Sequence, residues 1–431
     1  MNSPKRYLVA IVDGGGTVPA DTSVIQALVA RGHDVRVLAD RVLAPDLERT
    51  GAEHIPWSRA PQRADLDPKS AIISDWDAKS PTEAFAQIRD GVLVGPARDF
   101  AADVRDELRR RPADVVVANF FVFGAQIAAE AEGVPFAFLV ANVLPLPGSG
   151  TPALGPGLKP ARGRLGRTRD AVLYRMMARL FDKGLDQLNG VRREYGLGPI
   201  GSLFDNFKRA DRVLLMTSRA FEYEQFSPLP SVRVVGPRLD DPAWAGEWTA
   251  PAGDDPLVLV GMSSTFMDHA EVLQRATTAL GALPVRGVVT TGPALAPDSI
   301  EAPENVTVVQ RAPHSEVLRH ASAVVTHAGH GTVIKSLAAG VPVVALPLGR
   351  DQLENAARVA HHGAGLRLKA KASPDAIARA VGRVLDEPSF RANAERLAAA
   401  IAAETAEDRA VEELERLAAR GAARPRASAA A

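Results

Sequence analysis

The sequence has 431 residues, of which 46 % are apolar and 24 % charged, so it is long enough for two folded domains of about 200 residues each. Lysine plus arginine and aspartate plus glutamate are balanced at 51 each, which argues against a nucleic-acid- or membrane-binding protein. The chain has no cysteine, which excludes a disulfide framework, a thiolate zinc site and a cysteine nucleophile.

The first half alternates short β-branched runs with helical patterns. We predict strands at 7–12, 34–38, 115–118 and 136–140, and helices at 21–31 and 124–132. The N-terminus lacks the long apolar stretch of a signal peptide, and no window reaches the roughly 18 apolar residues of a membrane span. We therefore expect a cytoplasmic protein.

Two segments interrupt this pattern. Residues 145–169 are rich in glycine, proline and arginine, and we interpret them as a long loop beside a cleft, with a disordered insertion as the alternative. Residues 229–255 have the composition of a linker. The alternation then restarts, with predicted strands at 257–260, 287–290, 306–309, 323–326 and 343–346.

The predicted fold class is α/β, with two Rossmann-like parallel-sheet domains that face each other across a cleft. Strands that are apolar on both faces and separated by helices indicate sheets covered on both sides. The predicted boundaries are 1–228 for the first domain, 229–255 for the linker and 256–390 for the second domain. We expect helices over 391–420 that pack back towards the first domain, and a disordered tail over 421–431.

The motif THAGHGT follows a predicted strand and precedes a helix. Its Gly329, Gly331 and Thr332 therefore lie where free backbone N–H groups and the helix dipole attract an anion. His327 can donate a hydrogen bond to a phosphate oxygen. We expect a diphosphate at this turn, although glycines before a helix also occur without a ligand.

Asp351 and Gln352 follow the next strand, at the same edge of the sheet. A carboxylate beside an amide suits the paired hydroxyls of a sugar. The alternative is that Asp351 caps the following helix and Gln352 is an ordinary surface residue.

The stretch 312–365 resembles the donor-binding signature of the nucleotide-sugar glycosyltransferases, which include plant natural-product glucosyltransferases and bacterial macrolide glycosyltransferases. The matching residues are Pro313, His327, Gly329, Gly331, Thr332, Gly340, Val341, Pro342, Asp351, Gln352 and Asn355. Weaker resemblance covers most of the chain.

The resemblance implies a GT-B fold and an inverting transfer from a UDP- or TDP-sugar, with no metal or other cofactor. The first domain would bind the acceptor and the second the donor. The diphosphate and sugar residues would be those described above, Ser263 and Ser264 would lie near the phosphates, and Arg311 and Ala312 would contact the base. Arg311 stands where the family usually has an aromatic ring, and a guanidinium plane can also stack. His314 replaces the glutamine after the proline.

The family's catalytic dyad is missing. The family uses a histidine after the first strand and an aspartate after a later one, and Thr17 and Asn119 occupy these positions here. No histidine precedes His33. Asp13 or Asp21 could act as the base instead, with Asp13 favoured because side chains at strand ends point into the cleft. Alternatively the acceptor arrives ionised, since a general base is worth only roughly 10²–10⁴-fold.

Two other classes of function stay open. The missing dyad also fits a protein that binds sugar nucleotides without turnover or acts only with a partner. The glycines at 14–16 and Asp40 fit an NAD(P)-dependent oxidoreductase, but Pro19 stands where its fingerprint needs a third glycine.

The acceptor pocket is predicted from aromatic residues of the first half. Its candidates are Phe120 and Phe121, with Trp57, Trp76 and Phe123 as further possibilities that suit a core equally well. We expect a small hydrophobic acceptor, aromatic or polyketide-like, no nucleic-acid or membrane partner, and a monomer or homodimer.

Overall fold

A computed structural model describes residues 3–65, 67, 70–242, 244–262, 266–293 and 295–421. These residues form two parallel-sheet α/β domains, which confirms the predicted fold class. Ser263 and Ser264 lie outside the described residues, as do residues 422–431 of the predicted tail.

The first domain is built on a parallel sheet in which the described strands have the order β3-β2-β1-β4-β5-β6-β7. Its strands are β1 (Arg6–Ala10), β2 (Asp34–Ala39), β3 (Glu53–Pro56), β4 (Val115–Asn119), β5 (Phe136–Val140), β6 (Arg212–Leu215) and β7 (Val232–Val234). Its helices are α1 (Val18–Ala30), α2 (Ala44–Glu48), α3 (Pro81–Ile88), α4 (Ala97–Arg110), α5 (Phe123–Ala131), α6 (Gly163–Phe181), α7 (Leu185–Glu194) and α8 (Asp205–Arg209).

The second domain has a parallel sheet of order β10-β9-β8-β11-β12-β13 among the described strands. The strands are β8 (Leu257–Gly261), β9 (Arg286–Thr290), β10 (Val306–Val309), β11 (Ala321–Thr326), β12 (Val343–Ala345) and β13 (Gly365–Arg367). The helices are α9 (Ala270–Leu280), α10 (His314–Leu318), α11 (His330–Ala338), α12 (Gln352–His361), α13 (Pro374–Asp386), α14 (Pro388–Glu404) and α15 (Arg409–Gly421).

Strand β1 illustrates why the apolar runs form buried parallel strands. It pairs with β2 on one side and β4 on the other. Leu8 and Ala10 belong to the core on one face of the sheet, whereas Tyr7 and Val9 belong to the core on the other face. Because alternate side chains leave a strand on opposite faces, only a run without polar interruptions fits between two layers of helices.

The predicted linker and loop both contain regular structure. Strand β7 lies within the predicted linker 229–255. Its backbone pairs with β6 and extends the first sheet by one strand. Helix α6 begins at Gly163, inside the predicted loop 145–169. Its buried face consists of Asp170, Tyr174 and Met177, and the polar members of this set conceal the apolar periodicity.

The C-terminal helices have separate partners. Helix α15 packs on the first domain, where Val411, Leu414 and Leu417 join the core that contains β1. Helix α14 packs instead on the second domain, with Leu397 and Ile401 in the core around α11. The helices expected over 391–420 are thus α14 and α15. The expectation that they pack back towards the first domain fails for α14, because its apolar face matches the second domain.

The segment before α6 crosses from the first domain to the second. The N–H groups of Gly155 and Gly157 donate to Oε1 of Glu354 on α12, at 2.7 and 3.0 Å. Arg367 donates to the Gly157 carbonyl at 2.6 Å. Gly157 has a φ of +56°, and a Cβ there would lie 2.3 Å from the Leu353 carbonyl oxygen, so this crossing requires glycine.

Candidate active site

A cavity of about 670 Å³ lies between the two domains, at the carboxyl ends of both sheets. Ligands of parallel α/β sheets bind at this edge, because loops and helix N-termini converge there. The cavity is lined by residues of the β1–α1 turn, by the segments after β4 and β5, and by the turns after β11 and β12. Both domains of one chain therefore contribute to a single site.

The turn between β11 and α11 is shaped for an anion. Gly329 is the N-cap of α11, and the first intrahelical bond runs from the Val333 N–H to the Gly329 carbonyl, at 3.1 Å. The N–H groups of the first helical residues have no intrahelical acceptor, and Gly331 and Thr332 line the cavity. This end of the helix can bind a phosphate through its amides and dipole.

His327 lies against this turn and also lines the cavity. A Cβ on Gly329 would lie 2.6 Å from His327 Nε2, so the glycine leaves room for the ring. Burial lowers the pKa of His327 to about 3, with a further lowering by His269 and Arg350. The imidazole is therefore neutral at physiological pH and can donate one hydrogen bond without carrying charge.

Asp351 and Gln352 differ in how far their side chains are engaged. Asp351 stands at the N-cap of α12 but makes no capping bond; its Oδ2 accepts from Asn355 Nδ2 at 2.8 Å. Gln352 accepts from the N–H groups of Leu348 and Gly349, at 2.8 and 3.0 Å, so its amide oxygen holds the preceding loop. Both residues line the cavity.

One part of the cavity is lined by residues that follow β10, namely Arg311, Ala312 and His314. The Arg311 guanidinium carbon lies 5.7 Å from the ring centre of Trp244, which comes from the segment between the domains. His314 is within 3.1 Å of the Thr290 hydroxyl, and burial lowers its pKa to about 4. This end offers stacking planes and neutral polar groups.

Asp13 lies at the carboxyl end of β1 and lines the cavity. Its Oδ1 accepts from the Gly15 N–H at 2.9 Å, and its Oδ2 from Arg63 Nη1 at 2.8 Å. Both oxygens of this predicted base therefore already accept hydrogen bonds from the protein.

Thr17 and Asn119 come together behind the same turn. Thr17 lines the cavity, whereas Asn119 is fully buried below it. Asn119 Nδ2 donates to the Val12 carbonyl at 3.1 Å and lies 3.5 Å from Oδ2 of Asp21, a fully buried residue of α1. The two dyad positions are thus close in space, but neither carries a histidine or a carboxylate.

Phe120 and Phe121 both line the cavity, with ring centres 4.1 Å apart. Trp76 and Phe123 also line it. Trp57 is different: only 1 % of it is exposed, and its indole N–H donates to the Ile11 carbonyl at 3.2 Å. Trp57 is therefore a core residue that packs against Phe100, with its polar atom satisfied by the backbone just after β1.

Several residues of the site were missed by the sequence analysis. They are Arg63, Trp244, His330 and Arg350, all of which line the cavity. His330 Nε2 lies 2.8 Å from the Thr217 hydroxyl of the first domain, so this residue joins the two halves. His330 lies within the THAGHGT motif and Arg350 directly precedes Asp351, but their roles depend on Thr217 and Asp75, which are distant in sequence and which no local pattern indicates.

The chain is similar to known proteins over nearly its whole length. A family profile described as the C-terminal domain of erythromycin biosynthesis protein CIII-like proteins matches residues 275–417. The chain is 37 % identical to 4′-demethylrebeccamycin synthase of Lentzea aerocolonigenes over 424 residues, covering 96 % of this chain and 99 % of that one. It is 26 % identical to oleandomycin glycosyltransferase of Streptomyces antibioticus over 421 residues, covering 96 % and 91 %.

A solved structure of the glycosyltransferase of kitacinnamycin superposes on the chain with a TM-score of 0.76 at 22 % identity, covering 97 % of this chain and all of that one. Calicheamicin glycosyltransferase CalG4 superposes with a TM-score of 0.75, also at 22 % identity, over 97 % and 99 %. Each described helix is too short or too polar to span a bilayer. The fold, the phosphate-type turn and the full-length relative together identify the chain as a member of the natural-product glycosyltransferases of the GT-B fold.

Proposed function

We propose that the protein transfers a sugar from a UDP- or TDP-sugar to a small hydrophobic acceptor, aromatic or polyketide-like, with inversion at the anomeric carbon and without a metal. The observation that carries the proposal is the junction of two unlike surfaces in one cavity. The second domain contributes a phosphate-type helix start, and the first domain contributes an apolar wall.

The donor half of the proposal rests on the turn at His327. The amides of Gly331 and Thr332 and the neutral imidazole can donate to the diphosphate as its negative charge grows during transfer. Because these donors are already in place, they can take the part that a divalent cation has in other phosphate sites. Spinosyn rhamnosyltransferase SpnG, a structural neighbour, was solved in complex with thymidine diphosphate. This supports the choice of a TDP-sugar as one of the donors to test.

The sugar and the base would lie on either side of the diphosphate. Asp351 has one carboxylate oxygen bound to Asn355 and can accept from a sugar hydroxyl with the other. The Gln352 amide nitrogen contacts Met267 Sδ at 3.3 Å, a weak bond that a sugar hydroxyl can replace. Arg311 and Trp244 provide planes on which the base can stack, and Ala312 leaves room beside them. The predicted contacts of Ser263 and Ser264 stay a prediction.

The acceptor half rests on the apolar wall. The Phe121 ring and the Thr17 hydroxyl both approach Gly14 of the β1–α1 turn, and Phe120 lies beside Phe121. An aromatic acceptor against these rings would therefore bring its nucleophile to that turn. The diphosphate would bind at the α11 turn, where a Cβ on Gly331 would lie 3.9 Å from the Gly16 carbonyl oxygen of the β1–α1 turn. A sugar held between an acceptor on the phenylalanines and a diphosphate at α11 would be attacked from the side opposite the leaving group, and such a direct displacement inverts the anomeric centre.

The test is a transfer assay with UDP- and TDP-hexoses against a panel of phenolic, indolic and polyketide acceptors. We expect glycoside formation that is unchanged by EDTA, with an anomeric configuration opposite to that of the donor by NMR. Retained configuration, or a requirement for added Mg²⁺, would overturn the mechanism. A panel in which nucleotide binds but neither transfer nor donor hydrolysis occurs would overturn the proposed reaction.

A further inference from the structure

Three buried polar side chains come together behind the β1–α1 turn, and one oxygen of each is left without a hydrogen-bond partner among the described residues. They are Thr17, Asp21 and Asn119, with exposed fractions of 9 %, 1 % and 1 %. Within the described structure, Thr17 Oγ1, Asp21 Oδ1 and Asn119 Oδ1 have no hydrogen-bond partner. Buried polar atoms are nearly always paired, so three orphaned oxygens in one place indicate a function that uses them.

Contacts around the Val12 carbonyl show that the three residues are neighbours. It accepts from Asn119 Nδ2 at 3.1 Å and from the Gly14 N–H at 2.8 Å. A Cβ on Gly14 would lie 2.6 Å from Thr17 Oγ1. The Asp21 N–H donates to the Thr17 carbonyl at 3.0 Å, so the hydroxyl and the carboxyl lie one turn apart on the same side of α1.

Access to the cavity differs within this cluster. Thr17 lines the cavity, beside the Phe121 ring that also approaches Gly14. Asp21 lies behind Thr17 and is sealed from solvent. Of these two side chains, Thr17 can meet an acceptor in the cavity and Asp21 cannot, so the threonine hydroxyl is suited to connect an acceptor with the carboxyl.

We propose that Asp21 receives the acceptor's proton through the Thr17 hydroxyl, while Asn119 holds the carboxyl in place. The cluster would thus replace the histidine and aspartate that the family uses at the positions of Thr17 and Asn119. This inference rests on the proposed function, because it assigns the proton acceptor for that same transfer.

The proposed sugar transfer needs only the acceptor, the donor and the side chains of Thr17 and Asp21. The acceptor's nucleophilic atom forms a bond to the anomeric carbon and loses its proton to Thr17 Oγ1, while the threonine hydroxyl proton passes to Asp21 Oδ1. The bond from the anomeric carbon to the diphosphate breaks, and its electron pair leaves with the diphosphate. Thr17 Oγ1 and Asp21 Oδ1 are not hydrogen-bonded to each other in this structure, so the step requires a rotation of the Thr17 side chain that brings the two oxygens together.

The electrostatic surroundings suit a proton acceptor. Burial raises the pKa of Asp21 to about 8, and the hydrogen bond from Asn119 opposes this rise. The ionisable groups on the neighbouring strand ends are Asp13 after β1 and Asp40 after β2, and Arg63 lies between them, bound to Asp13. Ser23 of α1 donates to Asp240 at 2.7 Å on the outer side of the helix. A base is most effective when its pKa is near the working pH.

Asp13 differs from Asp21 in the features that matter here. Its two oxygens accept from Arg63 and from the Gly15 N–H, whereas Asp21 Oδ1 is orphaned within the described residues. Asp13 therefore shapes the turn, and the structure favours Asp21 over Asp13 as the proton acceptor.

The experiment compares Asp21→Asn, Thr17→Val and Thr17→Ser with the unchanged protein. We expect Asp21→Asn and Thr17→Val each to lower kcat by roughly 10²–10⁴-fold, with the affinity for the nucleotide sugar unchanged. Thr17→Ser keeps the hydroxyl and should restore most of kcat. Thr50→Val is the matched control, because Thr50 is a buried threonine of the same domain that bonds the Leu47 carbonyl away from the cavity.

Two readouts separate proton transfer from a structural role. In the unchanged protein kcat should rise with pH up to about pH 8, and Asp21→Asn should abolish that rise. The loss in Asp21→Asn should also shrink as phenolic acceptors become more acidic. An unchanged kcat and pH profile in Asp21→Asn, or a loss equal for all acceptors, would overturn the inference. Failure of the unchanged protein to transfer sugar to any acceptor would count instead against the proposed function.

Discussion

Arg350 of the second domain binds Asp75 of the first through two parallel hydrogen bonds, Nε to Oδ2 and Nη2 to Oδ1, each 2.7 Å long. Arg350 immediately precedes Asp351, and Asp75 immediately precedes Trp76, whose ring packs edge-on against Phe266 at 5.3 Å. The pair therefore connects the sugar end of the donor site to a wall of the acceptor cavity. Its geometry suits the bidentate fork of arginine, which lysine cannot reproduce.

Asp75→Asn should loosen the segment around residue 75 without unfolding either domain. The variant leaves Arg350 with a weaker, uncharged partner at a partly exposed site. We expect the free energy that holds the segment around residue 75 against the second domain to fall by about 1–3 kcal/mol. Hydrogen exchange over residues 70–80 should increase, and kcat/KM should fall by about 10-fold or more. Asp77→Asn, two residues on, is the control, and equal exchange in the two variants would contradict this role of the pair.

Gly329→Ala should weaken donor binding through His327. The new methyl group would lie 2.6 Å from His327 Nε2, so the ring must leave its position beside the turn. The loss of one hydrogen bond to a charged group, about 1.5–3 kcal/mol, corresponds to a rise in nucleotide Kd of about 10- to 150-fold. Calorimetric titration with UDP and TDP measures it.

Gly349→Ala is the matched control for this experiment, since a Cβ at Gly349 meets nothing within 4 Å. It should bind nucleotide like the unchanged protein. If Gly329→Ala also binds nucleotide with normal affinity, the position of the His327 ring does not contribute to nucleotide binding.

Trp244→Ala should reduce nucleotide affinity, and Trp244→Phe should remove the fluorescence change on nucleotide binding. If the base stacks at Arg311 and Trp244, the loss of the indole should cost about 1–3 kcal/mol, as for other bases stacked on aromatic rings. Binding of TDP should quench tryptophan fluorescence in the unchanged protein and much less in Trp244→Phe. Trp248→Phe, in the same segment, serves as control. Undiminished quenching in Trp244→Phe would assign the base to another position.

Stability should respond to pH through buried carboxyls. Burial raises the pKa of Asp21 to about 8 and that of Asp40 to about 7, both above the ordinary value of 3.8. The folded protein then holds protons that the unfolded chain has already released, so the contribution of these groups to folding stability is full below about pH 4. It falls as the pH rises from there to about 7 for Asp40 and about 8 for Asp21, and does not change further above these values.

Urea unfolding at about pH 5 and about pH 8 tests this linkage, because the folded and unfolded states differ in bound protons over this range. The unfolding free energy of the unchanged protein should fall more steeply between these values than that of Asp21→Asn, whose amide does not titrate. Identical slopes for the two proteins would mean that Asp21 is ionised in the folded state across this range.

The fold was predictable because its signals are local. The apolar runs of β1, β4 and β5 and the glycines that end their helices appear directly in the sequence, and the predicted strands lie within two residues of those observed. The donor turn was predictable for the same reason, since His327, Gly329 and Thr332 are neighbours in one motif. Helix α6 was missed because its buried face includes Asp170, a polar residue that an amphipathic pattern does not contain.

The acceptor half was less predictable because its residues are joined only by the fold. Arg63 binds Asp13 from 50 residues away, and Asp75 binds Arg350 from 275 residues away. The position of Asp13 at a strand end suggested a base, but no local pattern indicated that Arg63 would occupy it. The orphaned oxygens of Thr17, Asp21 and Asn119 likewise become visible only when β4 is set beside α1.

The most direct test of the proposed donor site is a crystal structure of the protein with TDP or UDP. We expect the diphosphate at the start of α11, with phosphate oxygens within hydrogen-bond distance of the His327 imidazole and the Gly331 and Thr332 amides, and the base near Arg311. Nucleotide bound elsewhere in the cavity, or no association of either nucleotide in a parallel calorimetric titration, would contradict it.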